Sequence, residues 1–407
     1  MKVAVVGGGL AGLAAALDLV EAGQDVMVYE ARPTLGGAVQ TLPERDGDPE
    51  PPPDNGQHIA LGCFTEYLRF LERIGEGGSF LRTRLGLPVL DRDGRAATIA
   101  PSLPSLLRYS LLPLRDRLRL PVTTLRMRST QSQPGETFGA LLRRLGETDG
   151  SIDRFWDVFI RPALNLRCDE VDAEAGLFTV RTALLGPRAN SDLVLPTKPL
   201  GWMHGDAAGR ALGDRVRLEQ RVESLDELDA DAIVVAVPPR ESARLLGEAE
   251  PGLEDSPIVS VHLWFDRPLL GEPLAALLGS DAHWVFDRGS LTGERPERGQ
   301  YLPVVSSGVP ELLEVRGREL VERIAGQLKE RLGQAELLWS RVSREPYATI
   351  ALRPGVQRPG VETSQPNVVR AGAWTDTGWP ATMESAVRSG RRAAQHILSS
   401  TSAKVTA

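Results

Sequence analysis

The stretch KVAVVGGGLAG, residues 2–12, decides the fold of this chain. A valine-rich run favours a strand, Gly7-x-Gly9-x-x-Gly12 follows it, and residues 13–22 have a helical pattern. Gly7 permits a tight turn, Gly9 lets the backbone approach a pyrophosphate, and Gly12 lets the helix pack closely on the sheet. The free N–H groups at the helix N-terminus then face the phosphates. The stretch therefore predicts a strand–turn–helix unit that binds a dinucleotide.

A second predicted strand, residues 25–29, ends at Glu30, which lies 18 residues after Gly12. An acidic residue at this distance accepts hydrogen bonds from the ribose hydroxyl groups of a bound dinucleotide. A glycine-rich turn without a ligand is the alternative. The closing acid within a strand–helix–strand unit favours the dinucleotide site.

The residues that follow Glu30 narrow the class of dinucleotide. Arg32 and the pair Gly36-Gly37 extend the motif in a way that NAD dehydrogenases do not. The extended motif resembles the FAD site of the flavoprotein amine oxidase and carotenoid desaturase superfamily. In that superfamily the arginine and the glycine pair run along the FAD pyrophosphate, so the resemblance implies non-covalently bound FAD.

Three further segments resemble a narrower family. Residues 54–58 (DNGQH) precede LGC at residues 61–63 and a predicted helix over residues 64–74. With residues 162–165 (PALN) and 375–390 (TDTGWPATMESAVRSG), they resemble the squalene-associated FAD-dependent desaturases, known functionally as hydroxysqualene dehydroxylases. The resemblance runs from residue 1 to about residue 398. It implies a lipophilic isoprenoid substrate and reductive removal of an allylic hydroxyl from a C30 alcohol, giving squalene.

The resemblance also implies which residues bind FAD. They are Gly7, Gly9, Leu10, Ala11, Gly12, Glu30, Ala31, Arg32, Gly36, Gly37, Ala38, Asn55, Gly56, Gln57, Val222, Gly372, Asp376, Pro380, Ala381, Thr382 and Met383. The superfamily commonly has an aspartate that binds the ribityl chain where this chain has Ala373. One lost hydrogen bond costs about 1 kcal/mol, so we expect FAD to bind about tenfold more weakly. Asp376 is the residue that could compensate.

The C-terminal segment predicts a helix that closes the FAD site. Thr382 is a plausible N-cap, Met383 starts the helix, and several small residues, Gly390 among them, allow close packing. By the resemblance, the helix N-terminus points at the pyrimidine end of the flavin, where its dipole favours the anionic reduced form. A packing helix with no flavin contact is the alternative.

His58 is the candidate proton donor, because departure of the hydroxyl group as water needs a proton. The pKa range of histidine suits this task near neutral pH. Asp54 could orient His58 or act in its place. The alternative is that both side chains only hydrogen-bond the loop that holds them. Cys63 is predicted to be a packing residue.

These motifs predict an α/β fold with a Rossmann-like FAD-binding domain of glutathione-reductase type. Its predicted segments are residues 1–75, 205–258 and 365–407. Residues 76–204 and 259–364 form the predicted α+β substrate domain, a mixed sheet with helices, in which 101–160 is helical. The two domains are interleaved, because the FAD motifs lie at both ends of the chain.

The middle of the chain gives more local predictions. Residues 217–222, 232–237, 260–265 and 302–306 are predicted strands, and 41–53 is a predicted exposed loop. Prolines 104, 113 and 121 should break residues 103–122 into short pieces, and Pro162 should cap a helix over 152–160. Residues 311–332 form one predicted amphipathic helix.

The composition excludes several classes of protein. Hydrophobic residues are 42% and charged residues 25%, which is typical of a globular chain, and the net charge of −7 argues against a nucleic-acid partner. Two cysteines, Cys63 and Cys168, make neither a disulfide framework nor a metal site, and no apolar run reaches the 18 residues of a membrane span. We therefore expect an enzyme of the bacterial-type cytoplasm with no metal.

Residues 103–122 alternate leucines with Arg108, Arg115, Arg117 and Arg119. Such a segment can lie on a membrane surface, with its leucines in the lipid and its arginines at the phosphates. The alternative is a pair of helices with a solvated arginine face, and both interpretations remain open.

Other reactions fit the same fold. A carotenoid-type desaturase, a protoporphyrinogen-type oxidase and a flavin amine oxidase are alternatives, and a non-catalytic FAD-binding protein is a further one. An amine oxidase often has a catalytic lysine, and the only internal lysines are Lys198 and Lys329, neither in a motif. The sequence does not indicate which electron donor reduces the FAD.

Overall fold

A computed structural model describes residues 1–405, with side chains to residue 400; residues 406 and 407 of the predicted segment 365–407 lie outside the described residues. The strands are β1 (Lys2–Val6), β2 (Asp25–Tyr29), β3 (Ala60–Leu61), β4 (Phe80–Thr83), β5 (Leu87–Leu90), β6 (Ala96–Ile99), β7 (Leu193–Pro196), β8 (Val216–Arg217), β9 (Ala232–Val235), β10 (Asp255–Phe265), β11 (Leu274–Leu277), β12 (Trp284–Phe286), β13 (Gln300–Ser307), β14 (Leu337–Ile350) and β15 (Val368–Arg370). The helices are α1 (Leu10–Glu21), α2 (Thr65–Arg73), α3 (Leu103–Arg108), α4 (Leu114–Arg126), α5 (Phe138–Arg144), α6 (Asp149–Ser151), α7 (Asp157–Leu164), α8 (Ala173–Ala183), α9 (Ala207–Leu212), α10 (Pro239–Leu246), α11 (Arg288–Thr292), α12 (Pro310–Leu313), α13 (Gly317–Leu332) and α14 (Met383–Val405).

A five-stranded parallel sheet in the order β15-β9-β1-β2-β8 carries the glycine motif. Its central strands are rich in valine and buried, as expected for parallel strands covered on both faces. Helix α1 packs against α14 so closely that a Cβ on Gly390 would lie 2.0 Å from the Ala11 carbonyl oxygen. The first and last parts of the chain therefore meet beside the glycine turn.

A seven-stranded mixed sheet in the order β14-β10-β13-β12-β11-β5-β6 forms the second layer. Because side chains alternate along a strand, each face of this sheet has its own chemistry. One face packs apolar residues of β10 and β13 against Leu320, Ile324 and Leu328 of α13. The other face carries a polar half on β10 and β14 and an apolar half on β12 and β13. These residues are Ser260, His262, Arg341 and Ser343 for the polar half, and Trp284, Phe286 and Val305 for the apolar half.

A three-stranded antiparallel sheet, β3-β7-β4, joins the loop after residue 58 to the helical part of the chain. Helices α3 to α8 pack around buried Tyr109, Phe138 and Trp156. Residues 76–204 and 259–364 share the seven-stranded sheet through β5 and β11. Strand β10 begins at Asp255 and so crosses the predicted boundary at 258. The domain boundaries themselves stay a prediction.

Several local predictions are wrong. Strand β8 ends at Arg217 instead of residue 222, because Glu219 adopts a left-handed backbone with φ of 55°. The predicted helix over 311–332 is divided into α12 and α13, since Arg316 is extended and the Arg344 guanidinium donates to the Val315 carbonyl at 2.6 Å. These interactions come from neighbouring elements, and a local hydrophobic pattern does not report them.

The predictions that relied on proline are confirmed at Pro113, which is the N-cap of α4 and separates it from α3, and wrong at Pro121 and Pro162. Pro121 lies inside α4 and Pro162 inside α7, although a proline inside a helix costs about 3 kcal/mol or more. Both helices bury apolar side chains, Leu120 in α4 and Ile160 in α7, and this burial offsets the cost. The predicted exposed loop at 41–53 is partly buried, because Arg341 of β14 pairs with Asp48 and donates to the Pro43 carbonyl.

Candidate active site

The turn between β1 and α1 leaves the helix N-terminus open to a ligand. Gly9 is the N-cap, and as a glycine it has no side chain that could cap the helix. A Cβ added to Gly9 would meet only the Cα of Gly37, at 3.7 Å. A Cβ on Gly12 would lie 1.9 Å from the Gly7 carbonyl oxygen, so this position needs glycine. The N–H groups of Leu10 and Ala11 follow the N-cap. The turn therefore provides donors for a pyrophosphate.

The acidic residue after β2 is fixed beside this turn. Glu30 accepts hydrogen bonds from the Gly8 N–H (2.7 Å) and the Arg32 N–H (2.9 Å), with Ala31 between the two. Arg32 is exposed and donates to the Gly37 carbonyl at 3.3 Å. The structure thus brings the carboxylate, the guanidinium and the glycine pair to one edge of the parallel sheet.

The loop of residues 36–40 connects the glycine turn to residues 54–58. The Gly36 N–H donates to the Gly8 carbonyl at 2.8 Å. The Asn55 side chain donates to the Ala38 carbonyl at 2.8 Å, and the Asn55 N–H donates to the Gln40 carbonyl at 2.9 Å. Residues 54–58 are therefore connected to the glycine turn through residues 36–40, and their position beside the flavin ring stays a prediction.

The C-terminal residues form the other wall of the site. The N–H of Gly372 donates to the Ser389 hydroxyl at 2.8 Å, and Thr382 accepts from the Ser385 N–H at 3.4 Å as a helix cap. The carbonyl of Ala381, between Pro380 and Thr382, accepts from Thr349 of β14 at 3.0 Å. This contact joins the long strand β14 to the residues that precede α14.

Two residues that are predicted to bind FAD, Asp376 and Val222, form hydrogen bonds within the protein. The Asp376 side chain is 61% exposed, and its carboxylate accepts from the Gly378 N–H at 3.0 Å, with Arg358 at 3.6 Å. Val222 is buried outside any strand, and its carbonyl accepts from Arg244 at 3.2 Å. The side chain of Asp376 therefore faces solvent, and its compensation for Ala373 stays a prediction.

His58 and Asp54 do not form the predicted pair. Nδ1 of His58 donates to the Gly56 carbonyl at 2.9 Å, so Nε2 is the unprotonated nitrogen of the neutral ring. Burial lowers the pKa of His58, which keeps the ring neutral near pH 7. Asp54 instead accepts from Thr41, the Leu200 N–H and Arg288. A catalytic role for either residue stays a prediction.

Sequence analysis missed Arg288. Its side chain and that of Asp54 are each 2% exposed and form an ion pair at 2.8 Å, and Arg288 also donates to Gln57 at 3.2 Å. The one signal in the sequence is an arginine that comes two residues after the buried run at residues 284–286. Arg288 is the first residue of α11, which follows β12 after the N-cap Asp287.

Burial shifts the pKa of other titratable groups near the site. Tyr67 pairs with Nε2 of His204 at 2.8 Å, and burial lowers the pKa of His204 to about 4. Burial raises the pKa of Cys63 to about 11, so the thiol stays protonated and fits the predicted packing role. Burial also raises the pKa of Glu384, which accepts from the N–H groups of Glu66 and Tyr67 at the start of α2.

Comparisons with known proteins identify the class. A family model described as flavin containing amine oxidoreductase matches residues 10–398. The chain is 30% identical to hydroxysqualene dehydroxylases of Sinorhizobium fredii (98% of this chain, 99% of that protein) and Rhodopseudomonas palustris (97% of each). The structure of cyclohexylamine oxidase from Brevibacterium oxydans shares the fold, with a TM-score of 0.73 at 18% identity over 98% of this chain and 99% of that one.

This chain belongs to the flavin-containing amine oxidoreductase family. It is an FAD-dependent oxidoreductase, and the α/β fold, the enzyme class and the cofactor expected from the sequence are confirmed. The residues present fit the cofactor. The open N-terminus of α1 suits the pyrophosphate, and Glu30 lies where the ribose of a dinucleotide is bound.

Proposed function

We propose that this enzyme removes the hydroxyl group of hydroxysqualene reductively and forms squalene. The observation that carries the proposal is the similarity to two hydroxysqualene dehydroxylases along nearly the whole length of both chains. The similarity covers the glycine turn as well as the sheet and helices that face it. A lipophilic isoprenoid is therefore the proposed substrate class.

The surroundings of residues 54–59 suit an isoprenoid. Ile59 packs against an apolar cluster that includes Leu193, Leu195, Trp284 and Phe286. The Trp284 and Phe286 rings are stacked, with centroids 6.2 Å apart. Apolar walls keep water from a developing allylic cation, and aromatic faces stabilise positive charge.

The reaction breaks the C–O bond, and the electron pair leaves with the oxygen. Reduced FAD, when bound, supplies the hydride equivalent that replaces the hydroxyl group on carbon. A proton completes the departing water. His58 is the proposed donor of this proton, after protonation at Nε2, since Nδ1 stays bonded to Gly56.

The positions of the lysines favour this reaction over amine oxidation. Lys198 is half exposed and pairs with Glu76 at 2.8 Å, and Lys329 lies on α13 over Phe265, on the other side of the seven-stranded sheet. Of the lysines whose side chains lie within the described residues 1–400, none forms a hydrogen bond or ion pair with residues 54–58. The contacts of the lysines at residues 1–400 therefore do not favour amine oxidation.

A comparison of substrates tests the proposal. The FAD-loaded protein, reduced anaerobically with dithionite, is incubated in detergent with hydroxysqualene, and the lipids are analysed by mass spectrometry. We expect squalene to form. In parallel, the oxidised protein is incubated with phytoene or with simple amines. Desaturated phytoene or reduction of the flavin by an amine, without squalene from hydroxysqualene, would overturn the proposal.

We also propose that α3 and α4 lie on a membrane surface. Their large apolar side chains are exposed on one side of the helix pair, and α4 carries exposed arginines beside them. These side chains are Leu103, Leu114, Leu118, Val122 and Leu125, with exposures of 49–59%. Within the described residues, no helix is long and apolar enough to cross a membrane. A cytoplasmic enzyme that binds the bilayer peripherally could take its substrate from the lipid.

A further inference from the structure

The guanidinium of Arg288 is held in one orientation at the boundary between the polar and apolar parts of the site. Nη1 donates to Asp54 Oδ2 at 2.8 Å and to Gln57 Oε1 at 3.2 Å. The other Asp54 oxygen accepts from the Leu200 N–H at 2.8 Å and from Thr41 Oγ1 at 2.9 Å. These contacts use both carboxylate oxygens and fix the plane of the guanidinium.

The remaining edge of Arg288 is unused. Among residues 1–405, no atom accepts a hydrogen bond from Arg288 Nε or Nη2, or from Nε2 of Gln57. All three groups are buried donors, and Nε–H and Nη2–H of a guanidinium point the same way as a fork. A buried donor without an acceptor costs about 1–3 kcal/mol. The arrangement therefore fits a ligand that supplies oxygen lone pairs.

The charge around the fork favours a neutral ligand. Asp54 cancels the charge of Arg288, and Asp48 pairs with Arg341 of β14 in the same way. An anion bound here would leave a net buried negative charge, which is costly. A hydroxyl oxygen accepts hydrogen bonds without adding charge.

The Arg288 guanidinium has buried polar neighbours, His262 and Tyr301, on one side, and apolar residues flank Arg288 in the chain. Phe286 and Leu291, before and after Arg288 in the chain, belong to the same apolar cluster as Ile59, which follows His58. A ligand that reaches the fork through this cluster is thus an apolar molecule with one neutral oxygen.

We propose that Arg288 and Gln57 bind the hydroxyl oxygen of the isoprenoid alcohol, and so select hydroxylated isoprenoids over hydrocarbons. The inference rests on the proposed function for the identity of the ligand. It adds the residues that distinguish the alcohol from its product, which has no oxygen.

The experiment compares the binding of hydroxysqualene and squalene to the oxidised FAD-loaded enzyme, which cannot reduce either ligand. Binding is followed by the change in flavin absorbance in one detergent, so that each ligand is compared with itself across variants. R288K keeps a charge for Asp54 but loses the fork. Q57M keeps the length of the side chain and leaves the Asp54–Arg288 pair intact. R341K, which changes the other buried arginine that pairs with an aspartate, Asp48, is the matched control.

We expect R288K and Q57M each to bind hydroxysqualene about tenfold more weakly than the wild type, with squalene affinity unchanged in the molecules that retain FAD. R341K should bind both ligands as the wild type does. Wild-type affinity of R288K and Q57M for hydroxysqualene, in an enzyme that still forms squalene, would overturn this inference alone. Loss of FAD from both variants with no change in ligand preference would show that the donors face the cofactor, and would also overturn it. A wild type that neither binds nor converts hydroxysqualene would contradict the proposed function and this inference together.

Discussion

Arg288 and Asp54 are 234 residues apart in the chain, yet they form a fully buried ion pair beside the FAD site. The motif at residues 54–58 was visible in the sequence, but its partner was not. A local motif reports the residues around it, whereas the partner depends on which strand of a distant sheet packs against the loop. The same limit explains why the predicted His58–Asp54 pair does not form. The Asp54 oxygens accept hydrogen bonds from residues outside the motif.

At the residue scale, the protonation of His58 predicts how the rate of flavin oxidation by hydroxysqualene depends on pH. Burial lowers the pKa of His58, so the fraction protonated at Nε2 grows as the pH falls from 8 toward that pKa. If this form donates the proton, the single-turnover oxidation of reduced enzyme by hydroxysqualene should accelerate over the same range. Stopped-flow absorbance measures this rate.

The variant H58A should lose that pH dependence and react at least about 100-fold more slowly at pH 6 while retaining FAD. A wild-type rate in H58A would show that another group supplies the proton. The Gly56 carbonyl would then be the main hydrogen-bond partner of a structural histidine.

At the scale of elements, the strands and helices that carry the FAD motifs were predictable, because valine runs and glycine turns act locally. Strands β1 and β2 match their predicted ranges, and α14 begins at Met383 as expected. The helices with internal proline and the break before α13 were not predictable, since burial and the Arg344–Val315 contact decide them.

The contact between α1 and α14 predicts opposite effects for two glycine substitutions. A Cβ on Gly390 would lie 2.0 Å from the Ala11 carbonyl, so G390A should lower the free energy of unfolding by about 1–3 kcal/mol. Gly326, inside α13, has open space around its Cα, so G326A should raise it by up to about 1 kcal/mol. Urea unfolding of the FAD-loaded protein measures the free energy of unfolding of both variants. A change of the same sign and size in G390A and G326A would contradict the close packing of α1 on α14.

The exposed apolar side of α4 predicts lipid binding. L118E should reduce co-sedimentation with vesicles of phosphatidylcholine and phosphatidylglycerol at least about tenfold, because a charge replaces buried apolar surface in the lipid. Leu338, exposed on β14, gives the control variant L338E, which should bind like the wild type. Equal binding by both variants would show that α3 and α4 are solvated helices.

At the scale of the whole molecule, the parallel sheet, the FAD site and the enzyme class follow from short motifs with a physical reason for each residue. The second sheet was predicted only in part. Alternation identified β10 and β13, but it did not show that one sheet face is polar over β10 and β14 and apolar over β12 and β13. This division arises only when distant strands pair, and it places a hydroxyl-binding position beside an apolar one.

The central claim is that the enzyme replaces the hydroxyl group of an isoprenoid alcohol by hydrogen, at the expense of reduced FAD. Anaerobic single turnover tests it most directly, with flavin oxidation followed by absorbance and squalene quantified from the same sample. The account predicts that hydroxysqualene oxidises the flavin and yields one squalene per flavin, while squalene added instead leaves the flavin reduced. A flavin that stays reduced in the presence of hydroxysqualene, with no squalene formed, would contradict the account.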